Sequence, residues 1–187
     1  MKKLMIAAAI VCAAAFAQAA TVSWGAQGIT EGTTLVNGKA YLFTADTYNR
    51  TAVGEAIQAA YAAGTLATFL ETYAVTDTTV SSGVIDVSGL DPADLGIGTG
   101  TGNKHTFYSV VFDTTSTISG DTNFFVSKNL ANKYVPTGDG TLGLSFGNLA
   151  TASTADGAWT AVAVPEPTSG LLLLLGIAGL ALKRRRA

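Results

Sequence analysis

The apolar residues of this chain are placed so that only its middle can build an ordinary core. They crowd into residues 1–20 and 170–182 of 187, the two places where targeting segments sit. What remains to fold is a body of about 145 residues, 20–164. Charge follows the same division. Lys2, Lys3, Lys183, Arg184, Arg185 and Arg186 lie outside the body, which keeps five basic against twelve acidic side chains, a formal −7 hidden inside a whole-chain value of −2. An acidic surface repels phosphate backbones and anionic membranes, which argues against nucleic acid as a partner of the body.

The N-terminus reads as a secretory signal peptide over residues 1–19. Lys2 and Lys3 supply the cationic start and residues 4–16 the apolar run. Ala17 and Ala19 stand at the two small-residue positions that signal peptidase inspects, so cleavage before Ala20 is expected. Thirteen apolar residues rise only about 20 Å as a helix, short of a bilayer core of about 30 Å. Cys12, the one cysteine, leaves with this segment. The mature body then has no thiol for a disulfide or a metal, and its stability must come from packing.

The C-terminus carries the most specific pattern. Pro165, Glu166 and Pro167 precede an apolar run, residues 168–182, and then Lys183, Arg184, Arg185 and Arg186. The prolines fix φ and remove donors, so a helix cannot run from the body into the tail. Fifteen apolar residues span roughly 22 Å as a helix, marginal for a bilayer. The four cations mark the cytoplasmic side and leave the body outside. Gly176 and Gly179 are three apart, so a Gly-x-x-x-Gly pairing face is absent. This order, over residues 165–187, resembles the PEP-CTERM sorting signal of Gram-negative bacteria. The resemblance implies recognition and removal of the tail by an exosortase-type membrane protease. It also implies transient anchoring in the inner membrane with the body in the periplasm, then delivery to the outer surface or an extracellular matrix, with exopolysaccharide as a candidate partner.

Within the body, Thr21-Val22-Ser23-Trp24 is β-prone, and Asn37-Gly38 between apolar flanks signals a two-residue hairpin. Residues 51–63 place Val53, Ile57, Ala60 and Tyr61 at helical spacing, with Gly64 as a stop. Leu66, Phe69, Leu70 and Tyr73 restart the same period, giving a helical insertion over about residues 51–73. Thereafter Thr, Val, Ser and Gly suit short strands at 74–78, 83–87, 106–112, 123–127, 142–146 and 158–164. In the central one Tyr108, Val110 and Phe112 face one way and Phe107 and Val111 the other, a strand covered on both sides. The expectation is a mainly β body, a two-sheet β-sandwich with a short helical insertion, and a Gly-rich surface loop at 96–102.

Active-site motifs fail individual tests. The glycine run before Asn103-Lys104 lacks the Gly-Lys-Ser/Thr ending of a phosphate loop. Gly143-Leu144-Ser145-Phe146-Gly147 matches a nucleophile elbow, yet the chain's single histidine, His105, precedes it and no helix is expected after it. Asp91, Asp94 and Asp139 form no calcium series and read as turn residues. No catalytic residue, metal or cofactor is assigned. The favoured reading is a non-enzymatic exported surface or matrix protein. The alternatives are a carbohydrate-binding module or adhesin using Trp24 or Trp159 as platforms, and a secreted carboxylate-dependent hydrolase. The tail protease can reach the junction only where residues 165–169 are extended and unpaired with the body.

Overall fold

A computed structural model describes residues 19–149 and 159–163. The strands in chain order are β1 (Thr21–Gln27), β2 (Thr30–Glu31), β3 (Thr34–Leu35), β4 (Gly38–Thr44), β5 (Ala74–Val80), β6 (Ile85–Leu90), β7 (His105–Phe112), β8 (Asn123–Val126), β9 (Leu130–Lys133), β10 (Thr141–Asn148) and β11 (Thr160–Ala161). Two helices, α1 (Arg50–Ala62) and α2 (Leu66–Tyr73), lie between β4 and β5. The chain is mainly β, as its composition implies.

The larger sheet runs β11-β8-β7-β4-β5, with β9 also pairing β7, and the smaller runs β10-β1-β6. β1 alternates buried with half-buried residues and β10 buried with exposed ones, the signature of strands with one face on a core. They pair in parallel, Val22 beside Leu142 and Trp24 beside Leu144, so the first strand of the body depends on one of the last. Ala20 is buried at its start, while Ala19 is exposed.

One core lies between the sheets, where Trp24, Leu144 and Phe146 meet Leu42, Phe107, Val111 and Phe125. A second lies where α1 and α2 cover the other face of the larger sheet, joining Val53, Ile57 and Leu70 to Phe43, Tyr108, Val110 and Phe112. The expected division of β7 between two faces is therefore present, and the helices form a third layer. Asn49 starts α1 by accepting from the Thr51 amide at 2.9 Å, and Gly64 leaves it at φ +68°, where glycine pays no Cβ penalty.

The Asn37-Gly38 hairpin does not form. The hairpin here joins β2 to β3, and Gly38 instead opens β4, which pairs β5 and β7. A Cβ at Gly38 would strike the Phe112 carbonyl, so this glycine permits a close approach rather than a turn. The Asn37 side chain accepts from the Ser82 amide at 2.8 Å, tying down a neighbouring turn. The 96–102 stretch is a loop, but a fastened one. Ile97 is buried in the inter-sheet core, Thr99 bridges Val135, and the Asn103 amide donates to the Thr99 carbonyl at 2.6 Å. The strand expected at 83–87 begins at Ile85, after a turn at Gly83 with φ +72°.

Candidate functional site

The last described residues form a fastened exit from the body. The Trp159 indole donates to the Thr30 carbonyl at 2.8 Å, and its ring meets Phe125 edge-on at 4.9 Å. Thr160 and Ala161 pair with Phe124 and Asn123, and the Gln58 amide of α1 donates to the Ala161 carbonyl at 2.9 Å. The Val162 amide donates to the Thr122 carbonyl at 2.9 Å, and its side chain is fully buried under the helices. Folding therefore fastens residues 159–162 to the body. Of the expected 158–164 strand, residues 158 and 164 lie outside the described residues. So do Ala17, Pro165, Glu166, Pro167, Lys183, Arg184, Arg185 and Arg186.

Beside this exit is a groove of about 390 Å³, within the usual size range of small-ligand sites. Tyr41 and Lys39 of β4, Tyr61 of α1, Leu66 and Leu70 of α2 and Ile118 of the β7–β8 loop line it. Lys39 is the one charged residue in that lining. Burial pushes the Tyr41 hydroxyl above its usual range, helped by the carboxylates of Asp77 and Glu71. The groove was not legible as a motif, because its walls come from three separated stretches of chain.

The other candidates are scattered. His105 Nδ1 lies 2.7 Å from the Asp46 carboxylate, while its buried Nε2 has no hydrogen-bond partner. No serine among the described residues is therefore paired with it. Ser145 sits on β10, on the exposed side of the strand and not at a strand-to-helix turn. The Asn123 side-chain amide donates to Glu31 at 2.9 Å and to Asp113 at 3.1 Å, drawing two carboxylates together outside the groove. Asp91 accepts from the Ala93 amide at 2.8 Å, as a turn residue does. Among the described residues no cluster of three or more His, Cys, Asp or Glu could hold a metal.

Trp24 offers no platform, whereas Trp159 is half-buried. Trp24 is buried, its indole donating to Ser109 Oγ across the sandwich at 3.1 Å, and Trp159 is folded onto Phe125.

Residues 163–186 match the PEP-CTERM protein-sorting motif. The tail is a PEP-CTERM sorting segment. Its match begins one residue beyond Val162, where the fastened chain ends. The motif marks an exported protein targeted to exosortase-type processing through a membrane-associated signal. No curated protein and no solved structure matches the chain. Among the described residues no helix is long and apolar enough to cross a membrane.

Proposed function

We propose that this chain is a non-enzymatic protein of the cell surface or extracellular matrix. Signal peptidase frees Ala20, the tail holds the body on the periplasmic side of the inner membrane, and an exosortase-type protease then releases it outward. The observation that carries this reading is the adjacency of the PEP-CTERM motif at 163–186 to a body that closes at Val162. Cleavage beyond Val162 leaves every described strand and both described cores untouched. Lining of the groove by tyrosines and hydroxyls keeps binding of a matrix component, rather than chemistry, as the role of the body.

Replacing Pro165, Glu166 and Pro167 together by alanine tests the reading. The expected result is a chain that is exported and signal-cleaved, yet accumulates in the membrane fraction with its tail attached. Normal release of that variant with the tail removed would overturn it.

A further inference from the structure

We propose that the groove beside the exit is a docking site for the chain's own Pro165-Glu166-Pro167 segment, so that the folded body withholds its sorting motif until the tail enters a bilayer. This proposal rests on the sorting reading above and adds a regulatory step to it.

The first argument is where the described chain ends. Ala163 Cβ and the Tyr61 hydroxyl each lie 3.4 Å from the same point beside Gly120, so they are no more than about 7 Å apart. Tyr61 lines the groove. Glu166 follows Ala163 by three residues, about 10 Å of extended chain. The motif therefore starts within reach of a residue that lines this groove.

The second argument is chemical complementarity. Proline-containing segments hold an extended conformation with little entropy left to lose, and aromatic-lined grooves recognise them for that reason. Here two tyrosines, Tyr41 and Tyr61, stand with Leu66, Leu70 and Ile118 in the lining. Between its prolines the motif carries one anion, Glu166. The groove carries one cation, Lys39, half-buried. Lys39 makes no ion pair among the described residues, although the body holds more than twice as many acids as bases. A lysine with no ion pair among the described residues of so acidic a body is available to an anionic visitor.

Docked, the motif lies against the helices and is closed to a protease, which needs an extended, accessible strand. Insertion of residues 168–182 into a bilayer pulls the segment out of the groove and exposes it. The body then acts as a guard on its own address label while it is soluble or in transit.

The test uses the signal-cleaved chain with its tail intact, dilute in detergent-free buffer, treated with a carbodiimide that joins carboxylates to amines in contact. Peptide mapping of the monomer should show Glu166 joined mainly to Lys39, and Tyr61→Ala should lower that yield several-fold while the protein keeps its thermal transition. Should Tyr61→Ala unfold the body, Leu70→Val provides the same comparison. Glu166 joined equally to Lys104, Lys128 or Lys133, no Glu166 link at all, or links found only in a cross-linked dimer would each overturn the proposal. A missing link with normal tail removal in cells would sink docking alone, whereas retention of the tail in cells would sink the sorting reading.

Discussion

The two faces of β7 border interiors of different kinds. On one side Phe107, Ser109 and Val111 are fully buried between two sheets, and even the polar Ser109 is satisfied. Its hydroxyl accepts from Trp24, and its amide donates to Ser127 Oγ at 2.8 Å. On the other side Tyr108, Val110 and Phe112 are equally buried, but the helices over them leave a groove at their edge, with half-buried tyrosines and a lysine at its mouth. The sealed face holds the body together, while the open face meets the last described residues, Val162 and Ala163. A single strand with both faces apolar thus lets a small domain separate stability from contact with its own appendage.

That contrast breaks most readily at Trp24. Trp24→Ala removes a fully buried indole and leaves Ser109 unpaired, so a loss of about 3–5 kcal/mol is expected from chemical denaturation. Tyr61→Ala on the open face should cost far less, about 1 kcal/mol. Equal losses at the two positions would erase the distinction between sealed and open faces.

Next in size is the fastening of the exit. Gln58→Ala removes the donor to the Ala161 carbonyl, and about 1 kcal/mol of stability should go with it. Hydrogen exchange should quicken at the Val162 amide more than at the β7 amides. A uniform increase across the body would mean that the exit is part of the global fold rather than a local clasp.

The smallest effect is invisible at neutral pH. Burial pushes the Tyr108 hydroxyl well above the ordinary 10.0, the nearby Tyr48 adds to this, and Arg50 opposes it. The hydroxyl donates to the Tyr48 carbonyl at 2.9 Å. Because the folded state keeps this proton when the unfolded chain has lost it, stability should be level below pH 10 and fall above it. Tyr108→Phe should flatten that alkaline decline. A variant with an unchanged decline would place the titrating group elsewhere.

Much of this architecture was legible because it follows local periods. The two-sided pattern of β7 and the helical spacing of Val53, Ile57 and Ala60 each identify a surface that must be covered. The Asn37-Gly38 hairpin misled because the dipeptide reports tolerance of turn geometry, whereas Gly38 is required by the closeness of Phe112. Strand β9 escaped notice because Leu-Ala-Asn-Lys has no alternation and Asn132 sits at φ +57°. Neither the parallel pairing of β1 with β10 nor the groove has a local signature, since both join residues far apart in the chain. The sorting segment is the opposite case. Its recognition depends on linear order at the terminus, so the sequence displays it directly while the folded body does not contain it.

The central claim is that a body complete by Val162 is exported and parted from the segment that follows. Intact mass of the protein recovered from the cell surface tests it most directly. The account predicts a species beginning at Ala20 and ending beyond Val162 but short of Ala187, with any added glycan or lipid visible as a further increment. A chain of residues 1–187 recovered from the cytosol, or a surface species cut before Val162, would contradict it.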